Sequence, residues 1–154
     1  MRVVVQRVKS ASVTVAGEII GSIGRGLLVF VGITHTDTMH EVEWISHKLL
    51  HLRIFDDEQG KMNYSVQDVG GELLVVSQFT LYASAQKGFR PSYVQAAPPQ
   101  MAEAVYNHMV EHLRLQTNLS IATGQFRAMM DVALINDGPV TITLEKEAEI
   151  VQHS

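Results

Sequence analysis

The chain has 154 residues, with 12 Lys+Arg, 16 Asp+Glu, seven His and no Cys, and its formal net charge is −4. A chain of this length predicts one domain, residues 1–154, able to bury its own core. The missing cysteines exclude disulfides, thiolate nucleophiles and Cys-based zinc sites, and the charge excludes a protein that coats nucleic acid by bulk attraction, though not one that reads a single RNA end.

Arg2, Arg7 and Lys9 stand among valines, and no continuous apolar segment follows them. Val3, Val5, Val13 and Val15 alternate with polar neighbours, as half-buried strands require. Ala16-Gly17-Glu18 and Gly21-Ser22-Ile23-Gly24 read as turns. Leu27 to Ile33 is a short apolar run rich in β-branched residues and predicts an interior strand. It is far shorter than the ~20 residues of a membrane helix. The expectation is a soluble, cytoplasmic protein with no membrane partner.

Thr38 followed by Glu41 is a capping box, and Val42, Ile45, Leu49 and Leu52 then share one helical face. Arg53-Ile54-Phe55 reads as a strand, with Asp56 to Gly60 as its turn. Glu72 to Ala83 reads as the strongest strand, and Gln86 to Ser92 as a basic loop. Pro98-Pro99 opens a second helix, with Met101, Val105, Met109 and Leu113 on its apolar side. The apolar residues from Ile121 to Leu144 predict three closing strands. Helices do not alternate regularly with strands, which argues against a doubly wound parallel sheet. The predicted fold is mixed α/β and mostly antiparallel: a curved, partly closed, β-barrel-like core with two helices packed outside.

Few residues offer chemistry. His47 and His51, and His108 and His112, are each four apart, a spacing that suits a metal. No third ligand is placed by sequence, and a solvated helix face accounts for the first pair, so no metal and no cofactor are expected. Asp56, Asp57 and Glu58 lack the ligand spacing of a calcium loop. Gly21, Gly24 and Gly26 precede a strand, whereas a phosphate loop opens a helix. Two segments stand out. Ser77-Gln78-Phe79-Thr80 puts polar groups at the end of a very apolar strand, where they line a cavity or mark a switch from buried to exposed face. No base accompanies either hydroxyl, and a Ser or Thr without a base is a weak nucleophile. Asn136-Asp137-Gly138-Pro139-Val140-Thr141 is either a structural or a functional turn; Pro139 interrupts a simple hairpin, and a Gly-Pro bond can be held cis.

Together these two segments resemble the signatures of the D-aminoacyl-tRNA deacylases. The opening Met1-Arg2-Val3-Val4-Val5-Gln6-Arg7-Val8, the stretch Lys87-Gly88-Phe89-Arg90-Pro91-Ser92 and the Gly124-x-Phe126 element are also similar to that family, and the likeness runs to about residue 145. Arg127 departs from it, standing where many relatives have Gly, and so does the stretch His47 to Leu52. The resemblance implies a hydrolase that cleaves the ester between a D-amino acid and the 3′-terminal adenosine of tRNA, with activity on glycyl-tRNA mischarged on tRNA-Ala as well. It implies a homodimer in which a cis Gly138-Pro139 pair enters the partner's pocket and excludes L side chains. Ser77, Gln78, Phe79 and Thr80 would form the catalytic pocket, Arg7 would hold the Gly-Pro carbonyls, and Phe126 would stack on the terminal adenine. The Lys87 and Arg90 loop would grip the acceptor end. The implied partners are aminoacyl-tRNA and a second copy of the chain, not DNA. The alternative is a non-catalytic RNA-end-binding module with the same pocket.

Overall fold

A computed structural model describes residues 1–149. Strand β1, Arg2–Val15, reaches β2, Glu18–Ile23, through Ala16 and Gly17 alone. Both have positive φ, 49° and 82°, the type I′ geometry whose twist matches the flanking strands. Strand β3, Gly26–Gly32, then returns antiparallel along the first half of β1. The turn expected over Gly21 to Gly24 is corrected: Gly21, Ser22 and Ile23 belong to β2. A Cβ on Gly21 would lie 2.5 Å from the Thr123 carbonyl oxygen, so glycine there permits a close crossing of chains.

Helix α1, Met39–His51, starts at the expected capping box. Thr38 Oγ1 accepts from the His40 N–H at 3.2 Å, and Glu41 Oε2 accepts from the Thr38 N–H at 2.7 Å. Val42, Ile45 and Leu49 are buried, and Leu52 caps the helix. The strand expected at Arg53-Ile54-Phe55 is the short β4, Phe55–Asp56, paired with β5, Met62–Tyr64.

Strand β6, Glu72–Ser77, lies parallel to β3. It does not continue to Ala83 as expected. The Gln78 N–H makes its last ladder bond, 2.7 Å to the Val31 carbonyl, and the chain then winds into a 3-10 helix, Phe79–Tyr82. Beyond that bond the backbone satisfies itself locally, Leu81 N–H to Gln78 O and Ala83 N–H to Thr80 O. Helix α2, Pro99–Gln116, begins at Pro98-Pro99. Its buried side carries Ala102, Tyr106, Met109, Val110 and Leu113, whereas Met101 and Val105 are only half-buried. Tyr106 can face inward because its hydroxyl donates to the Val75 carbonyl at 2.7 Å.

The three expected closing strands are two: β7, Ile121–Thr123, parallel to β6, and β8, Asp131–Glu145, antiparallel to β1. β8 stays paired with β1 on both sides of Gly138-Pro139, so that segment is a bulge, not a hairpin. Between the pairs Gln6↔Thr141 and Val8↔Asn136, Arg7 alone faces Asp137 to Val140.

The result is a mixed, mostly antiparallel sheet, curled into a nearly closed barrel shape, as expected. Leu27, Val29, Val31, Leu73 and Val75 face the helices, while Leu28, Leu74 and Val76 join Val8, Ala11, Val13 and Ile23 inside the curl. Among the described residues, no helix is long and apolar enough to cross a membrane.

Candidate active site

Strands β3, β6 and β7 run parallel, and their carboxyl ends open into one cavity of about 660 Å³. Ile33 follows β3, Ser77 ends β6, and Phe126 follows β7; all three line it. The first turn of α2 closes another side with Pro98, Pro99 and Ala102. Side chains that leave the ends of parallel strands are free of the ladder and converge on a crevice, as in other sheets with parallel strands.

The predicted Ser77, Gln78, Phe79 and Phe126 are brought together in this wall, and Thr80 is not. The Gln78 side-chain amide donates to Thr80 Oγ1 and holds that hydroxyl in the 3-10 turn. The Phe79 ring is half exposed and packs edge-on against Tyr93, with centroids 5.2 Å apart. The Phe79 and Thr80 N–H groups have no hydrogen-bond partner among the described residues, because the first N–H groups of any helix lack one. Two backbone donors are thus left free beside the cavity.

Phe126 leans on Tyr106, with centroids 6.2 Å apart. Burial pushes the Tyr106 phenol up to about 12, so it is a fixed donor to Val75 and not a base. Among the described residues, no carboxylate, imidazole or lysine lines the cavity. Its one charged lining residue among the described residues is Arg127, which is exposed and has φ 65°, a left-handed backbone that costs an L-residue ~1–2 kcal/mol. Sequence reasoning marked Arg127 only as a departure and missed Tyr93 and Met129 altogether. The signal for Tyr93 was an aromatic residue directly after the basic loop.

Gly138, Pro139 and Arg7 do not line this chain's own cavity. The Gly138–Pro139 bond is cis, and both residues are exposed on the β8 bulge. Arg7 lies buried beneath them. Its Nε donates to the Asp137 carbonyl at 3.2 Å and its Nη1 to the Ile54 carbonyl at 2.8 Å, while Asp56 and Asp137 carboxylates sit 3.5 Å away. Arg7 therefore grips the bulge through Asp137, one residue before the Gly-Pro pair.

The other candidates fall elsewhere. His47 and His51 are exposed, with ring centroids 4.2 Å apart and the rings tilted by 31°, and His51 Nδ1 contacts the His47 carbonyl at 2.8 Å. They border a groove with Glu43 and His112, yet among the described residues no three His, Asp or Glu side chains are placed to hold a metal. Asp57 accepts from the N–H groups of Gln59 and Lys61 at 2.9 and 3.0 Å, which makes it a turn residue.

With this geometry in hand, residues 4–145 match the family model described as D-Tyr-tRNA(Tyr) deacylase. The chain belongs to that family. It is a family of hydrolases, and relatives are similar over their full length. A D-aminoacyl-tRNA deacylase of Chloroherpeton thalassium is 59% identical over 145 residues, covering 94% of this chain and 95% of that one. Another, from an Exiguobacterium species, is 56% identical over 148 residues, covering 96% and 100%. Among solved structures, one described as a c-Myc DNA unwinding element binding protein superposes with a TM-score of 0.91 at 49% identity, covering 96% of this chain and 100% of that one. A probable eukaryotic D-amino acid tRNA deacylase shares the fold, with a TM-score of 0.80 at 17% identity and coverage of 93% and 97%.

Proposed function

We propose that this protein hydrolyses D-aminoacyl-tRNA in the cytoplasm, releasing the free D-amino acid and tRNA. One observation carries the chemistry: two backbone N–H groups without a partner, at Phe79 and Thr80, stand beside a cavity in whose wall, among the described residues, there is no carboxylate, imidazole or lysine. Such a site suits an activated ester. Water adds to the ester carbonyl carbon, and the developing oxyanion is met by the free N–H groups; one such donor is typically worth ~100–1000-fold in rate. The carbonyl-to-ribose oxygen bond then breaks, and the departing 3′-oxygen takes up a proton. The neighbouring 2′-hydroxyl of the terminal ribose assists the attack, since the described cavity wall offers no carboxylate, imidazole or lysine as a base. Ser77 and Gln78 shape the pocket, and Phe126 stacks on the adenine.

Chiral selection belongs to a homodimer in which the Gly138-Pro139 bulge of one protomer enters the other's cavity. Its exposure, its absence from the wall of its own cavity and the Arg7 brace beneath it support this reading. An L side chain collides with that rigid backbone and a D side chain points away, so selection works by exclusion. Glycine has no side chain to exclude, so glycyl-tRNA mischarged on tRNA-Ala is also a substrate. A hydrolytic sieve of this kind serves where binding differences alone discriminate poorly.

Single-turnover hydrolysis of D-Tyr-tRNA against L-Tyr-tRNA tests the proposal. Rapid loss of the D ester alone is the expected result. Tight binding of both without turnover identifies a non-catalytic RNA-end-binding module instead.

A further inference from the structure

Arg127 is, among the described residues, the single charged one in the cavity wall, and nothing in the fold accounts for it. Among the described residues it makes no hydrogen bond or ion pair, whereas Arg2, Arg7 and Arg114 all have partners. Its backbone is left-handed, the conformation that favours glycine, so the turn itself gains nothing from an arginine. It directly follows Phe126, whose ring lines the same wall.

Among the described residues the wall itself holds no carboxylate; Asp131 stands in the chain between the wall residues Met130 and Val132. No carboxylate occurs between Glu111 and Asp131, or between Glu72 and Glu103, the stretches that supply nearly all of the wall. In a chain of net charge −4, the charge carried by the described wall is that of Arg127 alone, and a cleft lined by one sign of charge focuses its field on an incoming anion. A guanidinium presents a planar fork that matches phosphate oxygens.

We propose that Arg127 binds the phosphodiester on the 5′ side of the terminal adenosine and so positions the ester against the Phe79 and Thr80 donors. This rests on the reading of the cavity as the aminoacyl-adenosine site. Arg127 is a positioning residue: it holds the one anionic group that an RNA end brings next to the nucleoside and takes no part in bond cleavage.

The test compares wild type, Arg127→Gly and Arg127→Lys on D-Tyr-tRNA and on 3′-O-D-tyrosyl-adenosine, which has no phosphate. Glycine suits the left-handed backbone, so the variant keeps the turn. The expected result is a KM for D-Tyr-tRNA raised about 10-fold in Arg127→Gly, as for one lost charge-assisted contact, with kcat within about twofold. Arg127→Lys falls between. The salt dependence weakens by roughly 0.7 in log–log slope, as for one phosphate contact on a single strand. The phosphate-free ester is hydrolysed equally by wild type and Arg127→Gly. An unchanged KM on tRNA overturns the inference, and so does an equal loss on both substrates. If wild type hydrolyses neither ester, the catalytic proposal fails, and binding of the cytidine-cytidine-adenosine trinucleotide decides this one. Roughly tenfold weaker binding by Arg127→Gly upholds it, and equal binding overturns it.

Discussion

The side-chain amide of Gln78 donates to the hydroxyl oxygen of Thr80, which stands in the 3-10 turn beside the cavity and not in its wall. The amide occupies a lone pair of that oxygen, and the described wall of the cavity holds no carboxylate, imidazole or lysine to take its proton. Thr80 is therefore placed to shape the turn, not to attack. Thr80→Val is expected to keep single-turnover hydrolysis of D-Tyr-tRNA within about 10-fold of wild type. Near-complete loss, with fold and tRNA binding intact, makes Thr80 the nucleophile.

Arg7 joins β1 to the Asp137 and Ile54 carbonyls from a buried position. Arg7→Met keeps the apolar stem and removes every donor, leaving buried acceptors without partners. Urea unfolding is expected to show a loss of about 3 kcal/mol. The slackened bulge also admits L substrates, so the D-over-L rate ratio narrows. An unchanged ratio at reduced stability assigns Arg7 to the fold alone.

Gly32 lies under the 3-10 turn, where an added Cβ would sit 2.8 Å from Leu81 Cβ and 3.2 Å from the Gln78 carbonyl oxygen. Gly32→Ala must push the turn away from β3. A stability loss of about 1–3 kcal/mol is expected. Activity should fall by about 10-fold or more even where the protein remains folded, because the Phe79 and Thr80 N–H groups shift. Wild-type kinetics from a folded Gly32→Ala variant contradict the role given to those donors.

Glu41 is buried at the start of α1. Burial alone raises its pKa, but hydrogen bonds from the Thr38 hydroxyl and N–H more than offset that and leave it lowered. A carboxylate lowered in the folded state stabilises fully above its unfolded value, ~4.3, and that stability is lost as pH falls through the lower folded value. Wild type should exceed Glu41→Gln by about 1 kcal/mol at neutral pH, and the gap should close below pH ~4. Thermal melts of both proteins from pH 7 to pH 3 check this.

The sequence by itself determined what depends on near neighbours. The Thr38–Glu41 box, the Pro98-Pro99 helix start and the apolar run of β3 are decided within a few residues, and the structure keeps them. The paired motifs also identified the family, because residue identity at fixed spacing survives in a linear string. Only the tertiary structure decided where β6 stops, since that depends on when β3 ceases to offer a partner. It alone joined the strands expected after Met130 into one bulged β8, because pairing with distant β1 spans the interruption at Pro139. It gathered Ile33, Ser77 and Phe126 around one cavity and set Thr80 aside, and it put Arg127 on the rim. Those placements arise from contacts between residues far apart in the chain, where periodicity and propensity carry no information about which strand ends will meet.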